Sequence, residues 1–118
     1  MSERVYLDYV RDMLESAEKA LEFVRGMGYD EFASDEKTQF AVVRALEIVG
    51  EAAKKVPKDL QETYSGIPWR EIAGTRDKLI HDYIGVNLSV VWRTLQDDLP
   101  SLIGQLETLL NDFGALHK

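Results

Sequence analysis

Phe40-Ala41-Val42-Val43-Arg44-Ala45-Leu46-Glu47-Ile48-Val49-Gly50 decides the fold, because on a helix it is apolar on nearly every face. A helix of that kind is surrounded by neighbours. Asp35 is a good N-cap and Pro57 ends the segment near Val56, so one helix is expected over 35–56. Three charges interrupt the apolar surface. Arg44, Glu47 and Glu51 stand at i, i+3 and i+7 and form one stripe. Charges on a buried helix are paired or line a cleft. An Arg44–Glu47 pair beside a solvated Glu51 is the ordinary account, and a cleft wall is the other.

Upstream, Val5, Tyr6, Tyr9, Val10, Met13, Ala17, Ala20, Leu21 and Val24 recur at helical spacing. Ser2 is the expected cap and Gly26 with Gly28 the stop, with 30–34 as a short connection. Downstream, 57–74 reads as a loop-rich link with one helical turn near 58–64. Ser65-Gly66-Ile67-Pro68-Trp69 forms a turn followed by an apolar anchor. A third helix is expected over 69–83, interrupted or bent at Gly74, closed by Gly85 and followed by an Asn87 cap. The last stripe, Leu88, Val91, Trp92, Leu95, Leu99, Leu102, Ile103, Leu106, Leu109, Leu110 and Phe113, keeps phase across Pro100, which predicts one kinked helix. The expected fold is all-α: an up-and-down bundle of four main helices plus short helical turns, as a single domain over 1–118.

The 118 residues leave room for one domain, and 45% hydrophobic content is enough to bury a core. Having no cysteine excludes a disulfide scaffold, a thiolate nucleophile and any Cys-containing zinc site. No apolar run approaches a membrane span and no signal-peptide stretch opens the chain, so a cytoplasmic protein without membrane contact is expected. The net charge of −7 argues against broad electrostatic binding of nucleic acid. That charge is uneven. Residues 54–93 carry seven Lys/Arg against five acids, whereas the flanking segments are both acidic. An anion site is expected in that middle stretch.

Within it stands Arg76-Asp77-Lys78-Leu79-Ile80-His81-Asp82-Tyr83. Histidine moves protons in both directions near neutral pH, and the flat arginine fork matches two phosphate oxygens. Cleavage of RNA by its own 2′-hydroxyl needs both: a base, a cation to hold the phosphorane, and an acid for the leaving 5′-oxygen. Five helical positions separate Arg76 and His81 by ~140° and ~7.5 Å. They do not share a face, so the arginine stem must curl round or a second subunit must complete the site. Asp77, at i−4 from His81, is placed to hold the imidazole tautomer. The competing account is a capping or core-edge histidine. No phosphate loop, His-Glu-x-x-His or nucleophile elbow is present, and neither a metal nor a cofactor is implied.

Arg76-x4-His81-x-Tyr83 resembles the Arg-x4-6-His motif of the HEPN superfamily, in the Arg-x4-His-x-Tyr form of the HepT toxins (the DUF86 family). The flanks are similar too: Arg44 to Ala53, Ile67-Pro68-Trp69, Lys78 to Val86 with Val91-Trp92, and Asp98-Leu99-Pro100. The resemblance implies an all-helical homodimer and a metal-independent ribonuclease toxin of a type VII toxin–antitoxin system. It implies that His81 is the acid/base residue and Arg76 the phosphate holder. It also implies that a cognate minimal nucleotidyltransferase antitoxin adds AMP to Tyr83. Asp77, Lys78, Arg44 and Glu47 would then support the site or wall its cleft. Asp77 replaces the asparagine frequent in the family with a carboxylate that repels an anionic substrate. The alternative is a non-catalytic HEPN module that binds a nucleotide or a partner.

Overall fold

Asp35 opens the central helix as its side chain dictates: the carboxylate accepts from the Thr38 N–H at 3.1 Å and from Thr38 Oγ1 at 2.8 Å. Those two bonds hold the Asp35 carboxyl below its ordinary pKa, the backbone bond first. The computed structural model describes the backbone of residues 3–81 and 87–115 and the side chains of 6–75 and 87–115. All regular elements among the described residues are helical, so the fold is all-α. They are α1 (Glu3–Phe23), α2 (Tyr29–Ala33), α3 (Glu36–Lys55), α4 (Lys58–Thr63), α5 (Trp69–His81) and α6 (Leu88–Arg93). A π-helical turn (Thr94–Asp98) and α7 (Leu99–Asp112) complete the order. Of the sequence expectations, Ser2, Tyr83 and Gly85 lie outside the described residues.

Helix α3 is the centre, with α1 along one side and α5 along another, while α7 packs on α1. Its residues Val42, Val43, Ala45, Leu46, Val49, Ala52 and Ala53 are buried, as an all-round apolar helix requires. α1 contributes Leu7, Val10, Met13, Leu14, Ala17, Ala20 and Val24. Tyr6, Tyr9 and Leu21, expected on the buried stripe, are only partly covered. Gly26 turns the chain after α1 at φ +78°, a conformation that an L side chain resists.

The connection expected over 30–34 is instead the helix α2. Phe32 is fully buried and packs against Trp92, ring centroids 5.4 Å apart. The Gln39 side chain closes α2 by donating to the carbonyls of Phe32 at 2.9 Å and Ala33 at 3.1 Å. Asn87 caps α6 as expected, accepting from the Ser89 N–H at 3.0 Å.

The last stripe runs from Leu88 to Asp112 with a π turn rather than a simple kink. Pro100 has no N–H for the Gln96 carbonyl and its ring crowds that position; a wider turn just upstream relieves both. Phe113 was expected in the core but is 39% exposed. α7 ends at Asp112, where Gly114 at φ +66° lets the Ala115 N–H reach the Leu110 carbonyl at 2.8 Å and its own N–H reach Asn111 at 2.9 Å. This Schellman arrangement satisfies the final carbonyls and buries Ala115 in place of Phe113. Tyr64 ties the link to this end by donating its phenol to Asp112 Oδ2 at 2.8 Å.

Candidate functional site

The start of α5 is fixed by its apolar anchor. Ile67 and Trp69 are buried, and the Trp69 indole donates to the Tyr64 carbonyl at 3.1 Å. Pro68 accepts the first helical bond, from the Ile72 N–H at 3.0 Å. From there α5 runs as one helix to His81. Gly74 neither interrupts it nor ends it, because at helical φ a missing Cβ weakens propensity without breaking the hydrogen-bond ladder. Arg76, Asp77, Lys78 and His81 therefore all stand on α5, with His81 its last residue. Only their backbone is described.

Arg44 and Glu47 are on α3 and face one another, Nη1 to Oε2, at 3.9 Å. The Arg44 side chain is 64% exposed and that of Glu47 22%. An exposed pair of this kind stabilises by well under ~1 kcal/mol. The pair is the ordinary arrangement of the two expected from the sequence, and neither residue lines the principal groove.

That groove, of about 430 Å³, separates α5 from the last helix. Leu46 and Val49 of α3 form its floor, with Ile72 and Leu102 on the walls. Its α5 wall is Glu71, Ile72 and Thr75, the turn leading directly to Arg76. Thr75 donates its hydroxyl to the Glu71 carbonyl at 2.9 Å. The opposite wall includes Thr94, Asp97 and Asp98 of the π turn. One end is closed by Gln105, whose amide donates to the Gly66 carbonyl at 2.8 Å. Glu71, Asp97 and Asp98 are exposed carboxylates, and among the described residues that line the groove none is basic.

The sequence reading did not single out this groove. Its walls come from segments up to 59 positions apart, Leu46 to Gln105, and only Pro100 signalled a local irregularity. π turns inside α-helices are frequent at functional positions.

Fold and site together define a small helical domain that carries an arginine and a histidine five positions apart at the end of one surface helix. The family model described as "Ribonuclease HepT-like" matches residues 13–109, and the chain belongs to that HepT-like family. It is 50% identical over 106 residues to "Probable ribonuclease HepT" of Thermococcus cleftensis, covering 90% of this chain and 96% of that protein. It is 41% identical over 112 residues to "Putative RNase MJ1216" of Methanocaldococcus jannaschii, covering 95% and 93%. A third relative, "Putative RNase TTE0752" of Caldanaerobacter subterraneus, is 43% identical over 102 residues, covering 86% and 91%. No solved structure matches the chain.

Proposed function

We propose that the chain is a metal-independent endoribonuclease toxin that works as a homodimer of up-and-down helical bundles. The observation that carries this reading is the family match across residues 13–109, which contains Arg76-x4-His81-x-Tyr83 with its first two members on α5. His81 removes the 2′-hydroxyl proton and an imidazole returns one to the leaving 5′-oxygen, while Arg76 grips the phosphorane, leaving a 2′,3′-cyclic phosphate. Five helical positions keep the two residues ~140° apart on one helix, so a two-fold partner supplies the facing pair. Asp77 holds the His81 tautomer, and Lys78, Arg44 and Glu47 border the cleft. A cognate minimal nucleotidyltransferase silences the enzyme by adding AMP to Tyr83, which places bulk and negative charge where RNA phosphate must sit.

The test is cleavage of single-stranded RNA by purified protein in EDTA. The parent is expected to give products ending in cyclic phosphate, and His81→Ala and Arg76→Ala to lose activity while keeping the helical spectrum. Equal cleavage by parent and variants defeats the assignment. One observation favours a second reading, a non-catalytic module that binds a nucleotide or partner: three carboxylates line the groove beside α5, an unwelcoming border for RNA. That reading is upheld if unmodified protein cuts no RNA but binds ATP or the nucleotidyltransferase.

A further inference from the structure

We infer that the groove between α5 and the last helix is a docking surface for a basic, amphipathic helical segment of a partner protein. Its floor and inner walls are aliphatic: Leu46, Val49, Ile72 and Leu102. Such a surface takes apolar side chains. Its rim carries Glu71, Asp97 and Asp98 as exposed carboxylates, with no basic residue among the described lining. A polyanion meets like charge at those three positions, whereas a lysine- or arginine-flanked apolar stripe meets its complement on both counts. The carboxylates do not gather into a metal-binding group, since no cluster of three or more ligating side chains occurs among the described residues.

Length agrees with a helical occupant. Thr94 and Gln105 mark the groove along the last helix, 11 positions apart and so ~16 Å, about three helical turns. Anchors at i, i+4, i+7 and i+11 span that distance. The π turn puts Thr94, Asp97, Asp98 and Leu99 on one wall, a set that regular 3.6-residue spacing would spread wider around the axis. This inference stands apart from the ribonuclease reading, because it needs neither Arg76 nor His81.

The probe is a fluorescein-labelled 15-residue peptide, capped at both ends, with leucines at i, i+4, i+7 and i+11, lysines flanking them and alanines elsewhere. Fluorescence anisotropy measures its binding to the full chain at low and moderate salt. The parent should bind it and should not bind the same peptide with glutamates for lysines. Glu71→Gln with Asp97→Asn and Asp98→Asn should weaken binding by about tenfold or more, from three pairs that each contribute modestly. Glu15→Gln with Glu18→Gln and Glu22→Gln removes the same charge from α1 and should change affinity less than about twofold. A benzophenone in the peptide should label α5 or α7, a readout that does not depend on any variant folding. Equal weakening by both triple variants, equal binding of the glutamate peptide, or labelling confined to α1 overturns the inference. It is equally overturned if an oligouridylate binds and the groove variant loses it, which makes the occupant RNA. A fall in the groove variant's mass by light scattering makes it a second copy, with the same consequence.

Discussion

Replacing a glycine by alanine should have opposite signs at two exposed positions of this chain, and backbone conformation alone decides which. Gly74 lies inside α5, and a Cβ built there meets nothing within 4 Å. Alanine exceeds glycine in helix propensity by ~0.8–1.0 kcal/mol and also narrows the unfolded ensemble, so Gly74→Ala should stabilise by about 1 kcal/mol. Gly114 is equally unobstructed but sits at φ +66°. There a Cβ costs about 1–2 kcal/mol against the following carbonyl. For 118 residues the unfolding entropy is roughly 250 cal/mol/K, so each ~1 kcal/mol moves Tm by about 4 °C. Gly74→Ala should melt about 4 °C higher and Gly114→Ala about 4–8 °C lower, by circular dichroism at one protein concentration. If Gly74→Ala is neutral or destabilising, α5 is not a continuous open-faced helix, and the reasoning that places Arg76 and His81 on it fails. If Gly114→Ala is neutral, the left-handed cap at the end of α7 is not formed.

Phe32→Ala removes a fully buried ring from α2 and should cost about 3–5 kcal/mol, with a red shift of tryptophan emission as Trp92 loses its neighbour; urea titration followed by fluorescence measures both. The Asp35 carboxyl is held below its usual pKa by Thr38, so its contribution is present above the unfolded value and fades as pH falls through the folded one. Thermal melts of the parent should therefore lose stability more steeply than those of Asp35→Ala as the pH falls below about 4. Burial, with the bond to Asp112, raises the Tyr64 phenol above its ordinary value, so its contribution is intact below about pH 10 and is lost as pH rises through the folded value. Tyr64→Phe should flatten that alkaline loss, and an unchanged alkaline limb refutes the coupling.

The elements legible in the sequence were those with local punctuation. Asp35 and Pro57 set the expected bounds 35–56, each within a residue of the observed ends of α3, because a carboxylate cap and a missing N–H act close to where they stand. α2 escaped because five residues, Tyr29–Ala33, make no periodic stripe; a single anchor, Phe32, and the distant Gln39 amide hold it. The π turn escaped for a related reason. Pro100 announced a disturbance, yet the backbone absorbed it one turn upstream, where Thr94–Asp98 contains nothing irregular in sequence. On α1 the tyrosines drew the expected stripe towards Tyr6 and Tyr9, while the structure buries Leu7 and Leu14. Amphipathic rings occupy the edge of a core and aliphatic side chains its middle. Of the candidate site, the sequence offered Arg76 and His81 at a five-residue spacing, which took on meaning only with the flanks that resemble the HepT family. The groove was not legible, since its floor, walls and closed end come from α3, α5, the link and the last helix, which only folding assembles.

The chain's acidity bears differently on the two surfaces of α5. Glu71 lines the groove five positions before Arg76, ~7.5 Å along the axis and ~140° around it, so its carboxylate acts on Arg76 at low salt, where the Debye length is ~30 Å, and is largely screened at physiological salt. A carboxylate at that range lowers the local attraction for a phosphodiester, so an unoccupied groove opposes the proposed chemistry at the far end of the same helix. A cationic segment seated in the groove would cancel that field, whereas AMP on Tyr83 would add to it. The same electrostatic argument thus gives the proposed docking surface and the proposed modification contrary effects on RNA binding.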